Sequence, residues 1–474
     1  MWPLIVVAGV VLLPGCFDRE SEETKPDGRM ARPSRRNPAE DANDSSDSDT
    51  TTPEASGPCL NNQGTPCVKF QEITAANIGI NITTPLTGVV PINLNNDGRT
   101  DFYFYGPDGP DYFYESDPAS SDGDIRYIDA AERIRFSYEG RPTKIVGGDY
   151  NSDGLDDFFI MTEPRGTDVR PTSRGTLIQN NGEYLARAGA GDHIYLTDQI
   201  STAAWYGSNL VLLMDDGVGE CTGIRVFKYN DVDPGDEWLN SFDEINPADV
   251  GLCNTINGAT TLIVGDADQD GIEDVLIGGY GINLFYKGMP DFKFEHRESP
   301  FAVDPTANVL DVSVGFFSAR DAVSHLPTWY LANNNGENYS YKLQSDGSYL
   351  NNARFQGTQD PADTVSTEIV YLSQSPCALV SVANYAQQSR LYMARMHDDG
   401  TLVARTSDDS TEVTCDTAEY LDIAPVVGIS AGAEAAVENK QTMDVIWPDL
   451  NGDGQPDRLE VRSDALVIHL NVSE

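Results

Sequence analysis

A nine-residue loop that occurs four times constrains the fold of this chain more than any other feature. In its fullest copy, residues 266–274 read Asp-Ala-Asp-Gln-Asp-Gly-Ile-Glu-Asp, which places carboxylates at positions 1, 3, 5 and 9. Alternate side chains of such a loop point toward one centre, and Gly271 permits the sharp turn because it lacks a Cβ. Oxygen ligands gathered in this way are typical of Ca²⁺. The predicted calcium ligands of this copy are Asp266, Asp268, Asp270 and Asp274.

Three further copies keep this spacing and a glycine at position 6. Their predicted ligands are Asn93, Asn95, Asp97 and Asp101; Asp149, Asn151, Asp153 and Asp157; and Asp449, Asn451, Asp453 and Asp457. An EF-hand would need flanking helices and a Glu at position 12, whereas the fullest copy has short apolar flanks and Ile277 at that position. A hairpin turn without metal is the alternative interpretation, because Asn, Asp and Gly also suit turns.

The spacing of the loops predicts the fold. Equivalent positions Asp97 and Asp153 lie 153 − 97 = 56 residues apart, which fits four short strands and their connections, as in a propeller blade. Strand pairs without the ligands recur within residues 200–214, 309–332 and 367–383. Four complete and three degenerate units therefore predict an all-β protein, a seven-bladed β-propeller with four-stranded antiparallel blades and calcium-binding loops in four of them.

The two ends of the repeat region predict how the ring closes. Only two strands, at 458–462 and 465–470, follow the last loop, so the seventh blade lacks its outermost strand. Residues 68–74 form an unassigned strand before the first unit. We expect this strand to complete the seventh blade and cover its open edge.

The units resemble the FG-GAP or VCBS-type repeats of integrin α-subunit propellers and of many exported bacterial proteins. The resemblance covers nearly all of residues 58–474 and implies calcium ligation at the four loops. The Phe-Gly and Gly-Ala-Pro signature is mostly degenerate, as at Tyr105-Gly106-Pro107. The resemblance is therefore to the broad repeat class, and integrin ligand specificity does not follow from it.

The first 57 residues predict export and tethering. Residues 1–15 are uncharged, mostly apolar and too short to span a bilayer, which is typical of a secretory signal. Residues 13–16, Leu-Pro-Gly-Cys, resemble a bacterial lipobox and imply lipidation of Cys16, which would give a lipoprotein at the outer membrane or cell surface. A signal without lipidation, giving a periplasmic or secreted protein, is the alternative. The rest of residues 16–57 is poor in large apolar side chains and predicts a disordered tether, followed by the propeller at 58–474.

Charge and cysteine content narrow the partners and the compartment. The net charge of −44 excludes nucleic acid as an expected partner. Apart from Cys16, six cysteines remain, and an even number in an exported protein indicates disulfides. The expected local pairs are Cys59 with Cys67, Cys221 with Cys253, and Cys377 with Cys415. Zinc binding is the rival interpretation, but no Cys-x-x-Cys motif accompanies these residues.

The longer and more irregular loops are expected on the face opposite the calcium loops, and binding residues concentrate on such loops. Arg165, Arg170 and Arg174 lie in one of them and are predicted to hold a carboxylated sugar or acidic peptide. A solvated loop whose arginines pair with neighbouring acids is the alternative. Four of the five tryptophans, at 205, 238, 329 and 447, are expected in the core, with sugar platforms as the other interpretation.

The sequence contains no nucleophile elbow, phosphate-binding glycine loop or nucleotide fingerprint. We therefore expect an exported, membrane-tethered binding or adhesion module, braced by Ca²⁺, that recognises a glycan or protein ligand outside the cytoplasm. Its only contact with the membrane would be the lipid anchor. The alternative is a calcium-dependent polysaccharide lyase or hydrolase, since 75 carboxylates could include a catalytic pair.

Overall fold

The structure is a computed structural model. It describes residues 68–473 except 108–109, 121–124, 135, 137–140, 164–174, 188–195, 197–198, 215–220, 231–241, 255, 257–258, 302–306, 319–320, 323, 325, 335, 352–363, 373–374, 385–388, 398–400, 406–412 and 425–440. The strands of this part form seven four-stranded antiparallel sheets, which are the blades of a propeller. The predicted all-β, seven-bladed fold is confirmed.

The first strand of the chain, β1 (Phe70–Thr74), belongs to the last blade. Blade one comprises β2 (Gly88–Ile92), β3 (Asp101–Tyr105), β4 (Tyr112–Ser116) and β5 (Tyr127–Asp129). Blade two comprises β6 (Arg141–Gly148), β7 (Asp157–Glu163), β8 (Gly175–Asn180) and β9 (Leu185–Arg187). Blade three comprises β10 (Ile200–Tyr206), β11 (Asn209–Met214), β12 (Ile224–Tyr229) and β13 (Phe242–Ile245).

Blade four comprises β14 (Ala259–Gly265), β15 (Asp274–Gly279), β16 (Ile282–Met289) and β17 (Lys293–Arg297). Blade five comprises β18 (Val309–Gly315), β19 (Thr328–Asn333), β20 (Tyr339–Leu343) and β21 (Tyr349–Asn351). Blade six comprises β22 (Thr364–Val370), β23 (Leu379–Asn384), β24 (Arg390–Ala394) and β25 (Tyr420–Asp422). Blade seven comprises β26 (Thr442–Ile446), β27 (Arg458–Arg462), β28 (Leu466–Asn471) and β1.

Short helical turns lie in the connections: a 3₁₀ turn at Ala75–Ile78, α1 (Ala131–Ile134) and α2 (Pro247–Val250). Among the described residues, no helix combines the length and apolar character needed to cross a membrane.

The ring closes through strands from both ends of the chain. β1 pairs antiparallel with β28, with Phe70 opposite Asn471 and Thr74 opposite Val467. The innermost strands of blades seven and one, β26 and β2, also contact each other. The predicted closing strand is therefore confirmed, and it covers the edge of β28 that would otherwise be open.

Apolar clusters fill the spaces between neighbouring blades. The second strand of a blade is covered on both sides, and β3, with the sequence Asp-Phe-Tyr-Phe-Tyr, is accordingly buried along its whole length. Trp329 and Trp447 are buried in these clusters, and Trp205 packs against another. The expectation that these three tryptophans belong to the core is confirmed, while Trp238 lies outside the described residues.

Charged side chains meet at the axis of the propeller. Six of the seven innermost strands have a register shift near their start, and Lys144, Asp311 and Asp444 directly follow such shifts. Lys144 Nζ donates to Thr202 Oγ1 at 2.6 Å. Burial lowers the pKa of Lys144 to about 8 and raises the pKa of Asp311 to about 6 and of Asp444 to about 7. Burial and the charges of Asp311 and Asp444 also raise the pKa of Glu368 to about 8, and we call Lys144, Asp311, Glu368 and Asp444 the axial cluster.

The cysteines pair as disulfides between Cys221 and Cys253 and between Cys377 and Cys415. Two of the three expected pairs are therefore present. The third expected pair, Cys59 with Cys67, lies outside the described residues, as do the signal segment, Cys16 and the tether.

Candidate metal loops on one face of the propeller

The four predicted loops connect the first and second strands of their blades, so they lie on one face of the ring, which we call the loop face. We name them after their blades: loop 1 (93–101), loop 2 (149–157), loop 4 (266–274) and loop 7 (449–457). The opposite face, which carries the turns between second and third strands and the connections between blades, is called the link face.

All four loops share two left-handed backbone positions. At position 4 the φ angles are 56° for Asn96, 60° for Ser152, 60° for Gln269 and 71° for Gly452. At position 6 they are 78° for Gly98, 86° for Gly154, 86° for Gly271 and 80° for Gly454. Glycine at position 6 relieves the strain that a side chain would meet there. The left-handed conformation at position 4 has no consistent residue type and was missed by the sequence interpretation.

The aspartate at position 5 turns the chain inward in every loop. One of its oxygens accepts a hydrogen bond from the backbone N–H of position 7, at 2.8 to 2.9 Å. The donors are Arg99, Leu155, Ile272 and Gln455. The aspartate at position 1 similarly accepts backbone N–H bonds from across loops 2, 4 and 7. Hydrogen bonds within the protein alone thereby hold carboxylate oxygens around the interior of each loop.

The aspartate at position 9 is buried and joins the loop to the third strand of its blade. One oxygen accepts the N–H at the end of that strand, from Ser116, Asn180, Gly288 or Asn471, at 2.7 to 2.9 Å. In loops 1, 4 and 7 the other oxygen accepts the N–H of position 2, at 2.8 to 2.9 Å. The position-9 aspartate therefore connects the loop to the third strand of its blade, in addition to being a predicted ligand.

Burial raises the pKa of all four position-9 carboxyls. The values are about 6 for Asp101, about 8 for Asp157, about 6 for Asp274 and about 7 for Asp457. Backbone hydrogen bonds lower the pKa of each, but less than burial raises it. A cation near these groups would favour the charged carboxylate and oppose the effect of burial.

Loop 4 gathers the densest set of carboxylates. Oxygens of Asp266, Asp268 and Asp274 all lie within 4.8 Å of one another. Oδ1 of Asp268 is buried and makes no hydrogen bond to the described residues. The predicted side-chain ligands of the four loops are oxygen donors, which hard cations such as Ca²⁺ prefer to nitrogen or sulfur. The residues present therefore fit such a cation.

The contact at position 3 distinguishes loop 4 from the others. In loops 1, 2 and 7 an asparagine occupies this position, and its Nδ2 donates to the position-5 aspartate at 2.9 to 3.1 Å. In loop 4 the residue is Asp268, which has no N–H to donate. Instead Lys287 Nζ contacts Oδ2 of Asp268 and lies 2.7 Å from Oδ2 of Asp270. The hydrogen bond from Lys287 lowers the pKa of Asp270.

Neighbouring blades hold the loops in place. The backbone N–H of Asn93 in loop 1 donates to Oδ2 of Asp156 in loop 2 at 2.7 Å. On either side of loop 4, the hydroxyl of Tyr206 in blade three donates to the Glu273 carbonyl at 2.8 Å, and that of Tyr349 in blade five donates to the Ala267 carbonyl. The loops are thus parts of the contacts between blades.

Blades five and six carry other groups on the loop face. Lys342 Nζ lies 2.7 Å from Asp321 in the first turn of blade five and 2.6 Å from Asp416 in blade six. The Cys377–Cys415 disulfide joins two turns of blade six next to this contact. Neither arrangement was predicted from the sequence beyond the cysteine pair itself.

Blade three keeps a neutral version of the position-9 contact. Asn209, the first residue of β11, accepts the Tyr229 N–H at 3.0 Å.

The link face contains a groove between blades seven and one, with a volume of about 440 Å³. Its walls include Asn81, Thr83, Thr84, Arg462 and Asp464 on the polar side and Ile82, Leu86 and Leu466 on the apolar side. Tyr280 on the same face is 61% exposed. The predicted ligand-binding residues Arg165, Arg170 and Arg174 lie outside the described residues.

No protein-family model matches this chain, and no curated protein matches its sequence. Among solved structures, the chain is similar to two crystal structures of BBS1N in complex with ARL6DN, one soaked with mercury and one with lead. Each shares 12% sequence identity and covers 86% of this chain and 98% of the matched chain, with TM-scores of 0.43 and 0.45. A similarity this low carries no argument about function, and the assignment of the fold rests on the strand pairing described above.

Proposed function

We propose that the protein is a calcium-binding propeller of the FG-GAP or VCBS-type class that serves as a binding module. The observation that carries the proposal is the shared geometry of the four loops, in which equivalent carboxylates are held inward by equivalent hydrogen bonds. The side chains that would hold Ca²⁺ are those at positions 1, 3, 5 and 9 of loops 1, 2, 4 and 7. When bound, Ca²⁺ supplies the positive charge that offsets repulsion between these carboxylates.

The first consequence is a dependence of folding stability on calcium. A ligand that binds only the native state raises the free energy of unfolding of the protein by about 2.7 kcal/mol for each independent site, at a ligand concentration of 100 Kd. The full chain is dialysed against EDTA, and its thermal melting is recorded with and without added CaCl₂ and, separately, MgCl₂. We expect calcium to raise the melting temperature more than magnesium, because the smaller ion demands octahedral geometry and keeps its water.

The number of bound ions provides the second measurement. Elemental analysis of the calcium-loaded chain after gel filtration should give about four Ca²⁺ per chain, one for each loop. A variant in which Asp97, Asp153, Asp270 and Asp453 are all replaced by Asn should retain far less calcium. No bound calcium, together with unchanged melting in EDTA, would contradict the proposal.

The binding role is proposed for the link face. Its groove of about 440 Å³ has the size of small-molecule and sugar sites, which commonly combine apolar walls with a few polar groups. The expected ligand is a glycan or an extracellular segment of a protein. The export and lipid anchor predicted from residues 1–57 remain predictions, and they would present this face outside the cytoplasm.

A glycan array and a pull-down from cell-surface extract, both with the full calcium-loaded chain, test the binding role. The exposed Ala465 lines the groove, so Ala465→Trp should fill it and reduce capture at least about tenfold. Ala119→Trp at an exposed turn of the loop face is the matched control. Equal capture by both variants and the wild type would show that the groove is not the binding site.

The lyase or hydrolase alternative depends on Arg165, Arg170 and Arg174, which lie outside the described residues. It therefore stays a prediction, and a screen against uronic-acid polymers for new reducing ends or unsaturated products tests it.

A further inference from the structure

Loop 4 differs from the other loops in its charge. Its four predicted ligands are all aspartates, whereas aspartates make up three of the four predicted ligands in loops 2 and 7 and two of the four in loop 1. Counting only these side chains as ionised, loop 4 carries −4, loops 2 and 7 carry −3 each, and loop 1 carries −2. The contact of Lys287 with Asp268 and Asp270 brings the net charge of loop 4 to −3.

Lys287 is built into the blade at a position that faces the loop. Val275 pairs with Tyr286 in the register of β15 and β16, so Lys287 lies opposite Asp274, the position-9 residue. The next N–H along β16, that of Gly288, donates to Asp274 at 2.7 Å. The lysine side chain is 23% exposed, which leaves its ammonium group a path to solvent. The backbone thus fixes the base of Lys287, while its side chain keeps contact with solvent.

Blade five shows what a lysine does at the same register position. Lys342 pairs with Thr328, the first residue of β19, just as Lys287 lies opposite the first residue of β15. The first turn of blade five lacks the ligand pattern of the loops, and there Lys342 is the cation that joins Asp321 and Asp416. A lysine from this position of the third strand therefore reaches acidic groups on the loop face in two consecutive blades.

We infer that Lys287 is a tethered competitor of calcium at loop 4, and that this loop consequently binds calcium less tightly than it would without the lysine. The inference rests on the proposed calcium binding. The ammonium group contacts two of the four predicted ligands, so Ca²⁺ must displace it before Asp268 and Asp270 can both serve the ion. Because the lysine is part of the same chain, its local concentration is high at every protein concentration.

Replacing Lys287 by Met removes the competing charge and retains the length of the side chain. We expect loop 4 to bind calcium about tenfold more tightly in Lys287→Met. This is the size expected when the two partly exposed ion pairs of Lys287 no longer have to be broken and its charge no longer repels the metal ion. Calorimetric titration is made in a background of Asp97→Asn, Asp153→Asn and Asp453→Asn, which leaves loop 4 as the one loop with its full ligand set. If that background does not fold, titrations of the wild-type chain and of Lys287→Met with all four loops intact give the same comparison, since only the loop 4 step should differ.

Thermal melting supplies a readout that a merely structural lysine would not reproduce. In excess EDTA, Lys287→Met should melt below the wild type, because Asp268 and Asp270 lose their internal cation. In saturating calcium the order should reverse. A variant that melts below the wild type under both conditions would show that Lys287 is structural and would overturn the inference.

Lys228→Met is the matched control. Leu210 pairs with Phe227, so Lys228 takes the same register position in blade three, opposite Asn209, and it makes no ion pair among the described residues. We expect no change in calcium affinity in this variant. If the wild-type chain binds four calcium ions and Lys287→Met leaves the affinity of loop 4 unchanged, the inference alone is contradicted. If the wild-type chain binds no calcium, the proposed function is contradicted as well.

Discussion

The loop face is held together by two different kinds of chemistry. In blades one, two, four and seven, a loop rich in carboxylates is tied to the third strand by a buried aspartate, and under the proposed function a cation from solution offsets its charge. In blades five and six, the cation is Lys342 and the remaining connection is the Cys377–Cys415 disulfide. In both groups of blades, these contacts fix the first turn of a blade to strands or turns farther from the axis.

The difference lies in what can be removed. A chelator takes away a metal ion, but a lysine or a disulfide stays with the chain. If the proposed calcium sites are occupied, blades five and six keep their loop-face contacts when calcium is removed, while blades one, two, four and seven lose the cation that offsets the charge of their loops. Loop 4 is intermediate, because it has both a full set of predicted ligands and a lysine. The ring as a whole would then loosen unevenly when calcium is withdrawn.

The largest effect should come from removing the covalent contact of blade six. The Cys377–Cys415 disulfide closes a segment with a sequence separation of 38, and replacing both cysteines by Ala should lower the free energy of unfolding by about 4 kcal/mol. Urea unfolding in EDTA and in calcium measures the loss. If the two chemistries are independent, the stabilisation gained from calcium stays the same as in the wild type.

The link-face disulfide provides the control for this variant. Cys221 and Cys253 have a separation of 32, so their replacement should cost a similar free energy without touching the loop face. If the stabilisation gained from calcium changes only when Cys377 and Cys415 are replaced, blade six is not independent of the calcium loops. This result would contradict the distinction between the two groups of blades.

Lys342→Met should have the next largest effect. The side chains of Lys342 and Asp321 are 8% and 9% exposed, and removal of the lysine leaves a buried carboxylate without its partner. We expect a loss of about 3 kcal/mol in the free energy of unfolding. Adding Asp321→Asn and Asp416→Asn to the variant should recover part of this loss, because the unpaired charges disappear. A loss no larger than that of an exposed ion pair, about 0.5 kcal/mol, would show that Lys342 is not a substitute for the metal.

The sequence predicted the parts of this arrangement that depend on local spacing. The repeated aspartates and glycines indicated four of the blades, and the strand at 68–74 was correctly assigned to blade seven because an edge strand was missing there. Lys287 and Lys342 escaped prediction for a physical reason: each acts through strand register, which one residue of slippage would change. The contact between Lys342 and Asp416 joins residues 74 positions apart, and no local pattern marks it.

The axial cluster was missed for a related reason. Lys144 and Asp444 stand beside apolar residues in ordinary strand sequences, and the register shifts in β6 and β26 are what bring them to the axis. A shift of this kind is a property of the pairing of two strands. The sequence of either strand alone does not reveal it.

The smallest predicted effect tests whether the axial cluster, which all blades surround, acts independently of the loops. Burial raises the pKa of Asp444 to about 7, and burial together with the charges of Asp311 and Asp444 raises that of Glu368 to about 8. Between about pH 4 and pH 7 the native state therefore keeps a proton on Asp444 that the unfolded chain has released. The contribution of this proton to stability is complete at the acidic end of the window and is lost as the pH rises through about 7.

Asp444→Asn should remove this dependence because an amide stays neutral at every pH. The free energy of unfolding of the variant, relative to that of the wild type, should therefore be about 2.7 kcal/mol higher at pH 8 than at pH 5. The groups facing Asp444 are Lys144, Asp311, Glu368 and Tyr105, and they remain in both proteins, so the difference reports the loss of the Asp444 carboxyl together with its effect on the pKa of these neighbours. Urea unfolding at both pH values, in EDTA and in calcium, measures it. The same gain with and without calcium would show that the axis and the loop face act independently, whereas a gain present only in EDTA would mean that the metal-dependent blades control the axial cluster.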